Sequence, residues 1–221
     1  MNAQQELLLK KYVEAVLSAP SHLHLTADRD FDLFWKRHIL DAESILATIP
    51  PVYKEGPRRV LDVGSGNGIP GIPFSILEPQ WTVEMLDSDN KKCGFIESFY
   101  SSNAIINAHV TPSRAESMAH TKMRESYDIV VSRALSKLRV AIELCAAFVK
   151  VGGVLVVPHG TSWEREFGDN ADSLDVLGLD MPNPIPYKLG EVEFTLVTFE
   201  KISPTPREYP RAVGIPSKRP L

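Results

Sequence analysis

The chain has 221 residues, of which 43% are hydrophobic, 24% charged and 8% aromatic, with 13 glycines and 17 prolines. These proportions are typical of a globular protein and exclude a disordered, collagen-like or coiled-coil chain. A chain of this length can bury roughly 70% of its unfolded surface, which favours one full domain with a modest extension over two domains.

Charge is distributed unevenly along the chain. Residues 201–221 carry five Lys or Arg and one Glu, whereas residues 1–200 carry 19 basic and 27 acidic side chains. A short basic tail behind an acidic body can bind nucleic-acid phosphates, although charge alone slightly favours a solvated terminus.

Several kinds of site and location are not expected. The longest uncharged stretch, residues 63–77, contains four glycines and two prolines, so no membrane span is predicted. The N-terminus lacks the pattern of a secretion signal, and we expect a cytoplasmic protein. Cys93 and Cys145 have no second Cys or His at ligand spacing, so they are expected to be buried thiols and no metal site is predicted.

Helices are predicted at the beginning of the chain. Residues 4–17 place apolar side chains at near-helical spacing and predict an amphipathic helix. A second helical stretch begins near Asp30 and stops before Pro50 and Pro51. The sequence therefore predicts a helical N-terminal extension over residues 1–51.

Strands and helices alternate from residue 57 onward. Strands are predicted over 58–63, 81–86, 107–111, 127–131, 153–157 and 192–201, and helices over 90–101, 137–149 and 163–171. This alternation predicts an α/β domain over 57–203, with a mostly parallel twisted sheet and helices on both faces. Residues 182–190 hold too many prolines for an inner strand, and 204–221 form a basic, Pro-rich tail.

A glycine-rich loop follows the first strand. Gly64, Gly66, Gly68 and Gly71 stand between that strand and a short helical stretch near Pro70. Glycines let a backbone approach a ligand closely, and the following helix offers unpaired N–H groups. Residues 66–71 match the dinucleotide pattern G-x-G-x-x-G, a weak signal by itself, so an NAD-dependent oxidoreductase stays an alternative.

Two acids flank this loop. Asp62, at the end of the first strand, would repel a pyrophosphate and would suit the ammonium group of S-adenosylmethionine; the alternative is a carboxylate that only accepts loop amides. Asp87 closes the second strand, where an acid binds a ribose in doubly wound folds. Because NAD and S-adenosylmethionine both carry a ribose, Asp87 does not discriminate, and it could instead cap the next helix.

Further candidates follow the third and fourth strands. After the third, Glu116 and the backbone amide of Ala115, next to Arg114, are placed to meet an adenine edge, or form an exposed turn. Arg133 follows the fourth strand at the carboxyl end of the sheet, where ligands bind in this architecture, or it forms a structural salt bridge.

The motifs taken together resemble a known family. They are LHLTADRD (23–30), RHILDA (37–42), LDVGSGNGIPGIPFSI (61–76), MLDSDNKK (85–92), SRAES (113–117), YDIVVSRA (127–134) and the tail 205–221. The chain resembles the bacterial small-subunit ribosomal RNA guanine-N7 methyltransferases, also called glucose-inhibited division protein B, over roughly residues 23–160 and the tail. The resemblance implies a Rossmann-like methyltransferase fold and methyl transfer from S-adenosylmethionine to N7 of a guanine in 16S rRNA.

The resemblance also implies roles for individual residues. Cofactor contacts are implied for Gly64, Ile69, Ala115, Glu116 and Arg133, with Asp87 as the ribose acid. With the loop reasoning added, the expected cofactor residues are Asp62, Gly64, Gly66, Ile69, Asp87, Ala115, Glu116 and Arg133. Two departures from the family pattern occur: SDNKK at 88–92, where SLGKK is common, and His159 in a position where a lysine is common, which weakens the phosphate contact expected there.

The implied chemistry needs little from the protein. N7 of guanine has a free lone pair, so no general base is expected, and only a positioning role of Arg133 is considered. The expected partner is 16S rRNA, the small subunit or its assembly intermediate, bound by a monomer. Candidate RNA contacts are the basic residues Arg37, His38, Lys91, Lys92, Arg114, His159, Arg207, Arg211, Lys218 and Arg219.

Other interpretations remain open at this stage. Arg37 and His38 could equally lie on a solvated helix face or pack against the sheet. The tail is expected to fold back beside the cofactor pocket and bind phosphates. A methyltransferase fold acting on another acceptor, or only binding RNA, stays an alternative because the cofactor loop does not specify the acceptor.

Overall fold

The computed structural model describes residues 1–168 and 171–221. Its α-helices are α1 (Ala3–Ser18), α2 (Phe31–Phe34), α3 (Leu40–Thr48), α4 (Pro51–Lys54), α5 (Gly71–Leu77), α6 (Asn90–Ser102), α7 (Ala115–Met118), α8 (Leu138–Ala146), α9 (Trp163–Phe167), α10 (Ala171–Leu177) and α11 (Ile215–Lys218). Its strands are β1 (Arg59–Val63), β2 (Thr82–Asp87), β3 (Ala108–Pro112), β4 (Tyr127–Val131), β5 (Val149–His159), β6 (Asn183–Leu189) and β7 (Val192–Glu200).

The seven strands form one sheet in the order β3-β2-β1-β4-β5-β7-β6. Strands β1 to β5 run parallel, whereas β7 is antiparallel to both β5 and β6. The strand order reverses between β1 and β4, and a crevice opens at the carboxyl ends of strands that flank such a reversal. This topology confirms the predicted α/β fold and shows where a ligand would lie.

Two hydrophobic cores cover the two faces of the sheet. Side chains of a strand point alternately to opposite faces. Val60 of β1 therefore joins the core that holds Tyr12 of α1, while Leu61 joins the core that holds Leu138 of α8. The N-terminal helices pack on the first face, which places them beside the glycine loop.

The predicted N-terminal helices are confirmed. Helix α1 begins with a capping box in which Asn2 and Gln5 each accept a hydrogen bond from the other's backbone N–H. The second stretch runs from α2 through a π-helical turn, Trp35–Ile39, into α3. The π turn was not predicted, because helical periodicity does not distinguish one extra residue in a turn.

Three segments differ from or refine the predictions. Strand β5 begins at Val149, opposite Tyr127 of β4, so the helix predicted over 137–149 ends at Ala146. The helix predicted over 163–171 is Trp163–Phe167 and, in part, lies outside the described residues. The proline-rich segment is the edge strand β6, consistent with the expectation that it is not an inner strand.

The tail is packed on the domain. Pro210 and Pro216 are buried, and Tyr209 and Leu221 contact the second core. In the described part of the chain, no helix is long and apolar enough to cross a membrane.

Candidate active site

The glycine loop leaves β1 at the point where the strand order reverses. Gly64 has a φ of +76°, and a Cβ there would collide with the Leu135 side chain, so the position requires glycine. The amides of Gly64 and Ser65 donate to Leu86 O at 2.7 and 3.2 Å. These bonds fix the loop against the end of β2.

Asp62 lies beneath the loop, on the wall of neither cavity described below. Its side chain is fully buried, and Oδ2 accepts the Gly71 amide at 2.9 Å. Burial raises the pKa of Asp62 to about 7. Among the described residues Oδ1 has no hydrogen-bond partner, so Asp62 holds the loop through one carboxylate oxygen only.

Asp87 also binds the loop. Its Oδ2 accepts the Gly66 amide at 2.8 Å, and its Oδ1 accepts the Asp89 amide at 2.9 Å. Helix α6 is capped by Asp89, which accepts the amides of Lys91 and Lys92. Asp87 is therefore not the helix cap that the sequence left open.

A small cavity of about 180 Å³ lies beside this loop. Asp87, Arg114 and Glu116 contribute its polar wall, and Ser217 of the tail also lines it. Glu116 is buried, and its Oε1 accepts the Gly214 amide at 3.0 Å. One carboxylate oxygen of Glu116 is thus bonded to the tail, and its contact with adenine stays a prediction. The remaining lining residues are Val63, Gly64, Leu86, Ser88, Ser113, Ala115, Leu135, Ser136 and Leu144.

A larger cavity of about 760 Å³ adjoins the first. Leu135 and Ser136, on the loop after β4, line both cavities. The larger cavity also contains a stacked aromatic pair, Tyr187 and Phe194, whose ring centroids are 5.5 Å apart. The two cavities are therefore neighbours that share part of the loop after β4 as a common wall.

Arg133 lines the larger cavity and is held by the N-terminal extension. Its Nε is 2.8 Å from Asp41 Oδ2, and its Nη2 donates to His38 Nδ1 at 3.1 Å and to Arg37 O at 3.2 Å. His38 Nε2 in turn lies 3.1 Å from Asp28. Burial and the neighbouring Arg133 lower the pKa of His38, which favours the neutral ring.

Comparison with known proteins identifies the family of this chain. The chain matches the family model described as rRNA small subunit methyltransferase G over residues 5–183. The chain belongs to the rRNA small subunit methyltransferase G family. Family membership confirms the predicted methyltransferase activity, with S-adenosylmethionine as cofactor and small-subunit rRNA as substrate.

Individual relatives and structures agree with the family assignment. Proteins named ribosomal RNA small subunit methyltransferase G are 31% identical in Oenococcus oeni, over 97% of this chain and 89% of that protein, and 35% identical in Thermotoga neapolitana, over 96% and 89%. The crystal structure of a 16S rRNA (adenine(1408)-N(1))-methyltransferase from Catenulisporales acidiphilia matches with a TM-score of 0.54 at 16% identity, covering 76% of this chain and 93% of that one. At that identity the structural match supports the fold alone.

The loop geometry fits the methyltransferase cofactor better than a dinucleotide. The amides of Gly66 and Gly71 donate to carboxylates, and that of Gly68 donates to Ser65 O at 2.7 Å, so these groups are occupied within the loop. A pyrophosphate would be repelled by the two acids there, Asp62 and Asp87, whereas the same charges attract a cationic ligand. The dinucleotide alternative is not supported.

Three of the expected cofactor residues, Asp62, Gly66 and Ile69, lie on the wall of neither cavity. The Ile69 side chain is buried in the first core, on the wall of neither cavity. Gly66 also lies outside both walls and acts through its bond to Asp87. Gly64, Asp87, Ala115 and Glu116 line the small cavity and Arg133 lines the large one.

Two RNA-binding candidates are engaged inside the protein. Arg211 binds the fully buried Glu143, with Nε 2.8 Å from Oε1 and Nη2 2.5 Å from Oε2. His159 Nε2 lies 3.3 Å from Glu166, and His159 lines the large cavity. Arg211 was predicted to contact RNA. Its guanidinium instead binds Glu143 and is not available to phosphates.

The other basic candidates differ in exposure. Arg37 is exposed, and its side chain is paired with Asp28 at 3.0 Å. It therefore lies on a solvated helix face and also takes part in the packing of the N-terminal extension. His38 is half-buried in the Arg133 cluster. Exposed side chains belong to Lys91, Arg114, Arg207, Lys218 and Arg219, and Lys92 is half-buried.

Sequence reasoning missed the support that the N-terminal helices give to the loop. The Tyr12 hydroxyl donates to Asn67 O, and Asn67 Nδ2 donates to Leu25 O at 3.1 Å. Asp41, the partner of Arg133, was also missed, although it lies in the motif RHILDA. The available signal was an acid four residues after Arg37, but nothing in the sequence indicated that its partner would be Arg133.

Neither cysteine is poised for chemistry. Both thiols are buried, and burial raises the pKa of Cys93 to about 11 and that of Cys145 to about 12. Within residues 1–168 and 171–221, no group of three or more His, Cys, Asp or Glu could hold a metal ion.

Proposed function

We propose that this protein transfers a methyl group from S-adenosylmethionine to N7 of a guanine in 16S rRNA. The observation that carries the proposal is the paired crevice at the strand reversal, in which a small polar cavity and a larger, partly aromatic one meet at Leu135 and Ser136. The cofactor nucleoside fits the small cavity. The larger cavity then accommodates the methionine end of the cofactor and the target base.

The roles of individual residues follow from this placement. Asp87 and Ala115 line the nucleoside cavity beside Gly64. The negative charge of Asp62, buried beneath the loop, favours a positively charged ligand nearby. Arg133, fixed by Asp41 and His38, borders the base cavity as a positioning residue. The Tyr187–Phe194 pair offers a surface on which a base could stack.

Catalysis in this arrangement is mainly alignment. When bound, S-adenosylmethionine would supply an activated methyl group, leaving as the neutral thioether S-adenosylhomocysteine when its S–CH3 bond breaks. N7 of guanine has its own lone pair for the new bond, so no side chain has to remove a proton. The chain's contribution is to hold the base and the cofactor in line and to exclude water. Both thiols are buried and neutral, and both ring nitrogens of His38 have partners, Arg133 and Asp28, which is consistent with a site that has no general base.

The acceptor must reach a cavity inside the protein. A guanine stacked in RNA has to leave its stack, at a cost of a few kcal/mol, before it can enter the larger cavity. Four exposed basic side chains are proposed to bind the phosphates that flank the target guanine: Lys91, Arg114, Lys218 and Arg219. We further propose that the protein acts as a monomer in the cytoplasm, on the small subunit or its assembly intermediate.

The test is a methyl-transfer assay. Purified protein is incubated with methyl-labelled S-adenosylmethionine and small subunits that lack the modification, and nucleosides from the digested RNA are identified by mass spectrometry. Labelled 7-methylguanosine supports the proposal. Label in another nucleoside would contradict the acceptor, and no label despite cofactor binding would favour a protein that only binds RNA.

A further inference from the structure

The C-terminal tail lies beyond the residues matched by the family model, and it is firmly bound to the domain. Arg124 donates to three carbonyl oxygens at its start, those of Thr205 at 2.6 Å, Pro206 at 2.9 Å and Tyr209 at 2.9 Å. Glu125 accepts the Thr205 amide at 2.8 Å. The tail therefore leaves β7 along a fixed path.

A buried ion pair holds the middle of the tail. Glu143 of α8 is fully buried and accepts the Arg211 amide at 3.0 Å in addition to the guanidinium. Removing one partner of such a pair leaves a buried charge uncompensated, so the pair favours a docked tail. Arg211 Nη2 also donates to Arg219 O at 2.6 Å, which ties together the two ends of the segment that contains α11.

The tail segment between Arg211 and Arg219 reaches the small cavity. Gly214 has a φ of +81°, and its amide donates to Glu116 Oε1, which itself lines the cavity. Helix α11 follows, with Pro216 buried and Ser217 on the cavity wall together with Gly64, Asp87 and Arg114. A tail residue thus stands in the same wall as the residues expected to bind the cofactor.

We propose that the tail forms part of the cofactor pocket and that the Ser217 hydroxyl binds the nucleoside of S-adenosylmethionine. This inference rests on the proposed function, since it uses the small cavity as the nucleoside site. A hydroxyl can both donate and accept, which suits a ribose hydroxyl or the polar edge of adenine. The tail then takes part in cofactor binding through Ser217, which lines the cavity, while the basic side chains of Lys218 and Arg219 remain exposed to solvent.

The experiment measures S-adenosylhomocysteine binding to the full chain by calorimetry, without RNA. S217A should bind about three- to tenfold more weakly than the wild type, as expected for one lost hydrogen bond. S217W should lose binding, because the indole would fill the cavity. Ser203→Ala, an exposed serine of the same C-terminal region outside both cavities, is the matched control and should bind normally.

The outcomes separate the inference from the proposed function. Wild-type affinity in S217A overturns the hydroxyl contact, and wild-type affinity in S217W overturns the tail as a pocket wall. Failure of the wild type itself to bind S-adenosylhomocysteine contradicts the proposed function. Ser217 is exposed, so all variants should retain the wild-type melting temperature of the free protein, which is measured in parallel.

Discussion

At the scale of single residues, the site is defined by acids held in unequal environments. Asp87 is half-buried with both oxygens bonded, whereas Asp62 is fully buried with one oxygen bonded. The pKa of Asp62 is consequently raised to about 7, mainly by burial. A residue whose charge is costly in the free protein can gain a partner when a cationic ligand binds.

The first prediction concerns the pH dependence of cofactor binding. A cationic ligand bound near the loop favours the ionised form of Asp62 over the neutral one, so below the raised pKa binding must also remove a proton, and affinity falls as pH falls. S-adenosylmethionine affinity should therefore rise by roughly tenfold between about pH 5.5 and about pH 7. Calorimetry at several pH values measures this.

Asp62→Asn is the matched variant for that experiment. The amide oxygen can still accept the Gly71 N–H, but the side chain no longer titrates. Its cofactor affinity should be weaker and nearly constant over the same pH range. An Asn variant with the wild-type pH dependence would assign the titration to another group.

The second prediction compares a buried and an exposed ion pair. Asp41→Asn leaves the Tyr187 hydroxyl a partner but removes the charge opposite Arg133, whose side chain is 21% exposed. The free energy of unfolding should fall by about 2 kcal/mol. Glu193→Gln, which breaks the exposed pair with Lys188, should change it by less than about 0.5 kcal/mol. Urea unfolding measures both, and equal effects would contradict the argument.

At the scale of elements, the N-terminal helices are part of the site. Helix α1 supplies Tyr12 to the glycine loop, and the helical stretch containing Asp41 supplies the partner of Arg133. Strand β6 adds Tyr187, whose hydroxyl donates to Asp41 at 3.0 Å. Three elements distant in sequence therefore fix one crevice.

The third prediction tests the contact between α1 and the loop. Tyr12→Phe removes the hydroxyl that donates to Asn67 O and leaves a carbonyl without its partner. Unfolding free energy should fall by about 1 kcal/mol, and S-adenosylhomocysteine affinity should fall several-fold because the loop is less well fixed. Tyr100→Phe, on α6 and outside both cavities, should leave that affinity unchanged. Normal affinity in Tyr12→Phe would show that the loop does not need this contact.

At the scale of the whole molecule, the fold determines which basic side chains of the tail are buried or paired and which remain exposed. Of the five basic residues at 201–221, Lys201 is fully buried and Arg211 is paired with Glu143. Burial lowers the pKa of Lys201 to about 8. Arg207, Lys218 and Arg219 remain exposed on an otherwise acidic protein, so attraction for RNA should be local rather than general.

The fourth prediction concerns the salt dependence of RNA binding. Replacing Arg207, Lys218 and Arg219 together by Ala should weaken binding and reduce the slope of log K against log salt by about 2, because each lost phosphate contact contributes about 0.7 to 0.9. The same triple variant should bind S-adenosylhomocysteine with the affinity of the wild type. Lys10→Ala, on α1 and paired with Glu6, is the charge control. An unchanged slope in the triple variant would exclude the tail from RNA binding.

The sequence by itself determined the fold class, the order of the elements and the position of the cofactor loop. These depend on local signals: apolar runs that end in glycine, helical periodicity, and prolines that exclude an inner strand at 182–190. The motif spacing from residue 23 to residue 160 also indicated the family. Such signals are readable because each is confined to one short segment of chain.

Only the tertiary structure decided which side chains face the crevice and which are used elsewhere. Arg211 and Glu143 are 68 residues apart in sequence, and Arg133, after β4, is paired with Asp41 of α3. The sequence shows that a residue is charged, but not whether its side chain will form an ion pair inside the protein or remain exposed to solvent. That choice is made by packing, since burial without a partner costs free energy and only the folded chain brings the partners together.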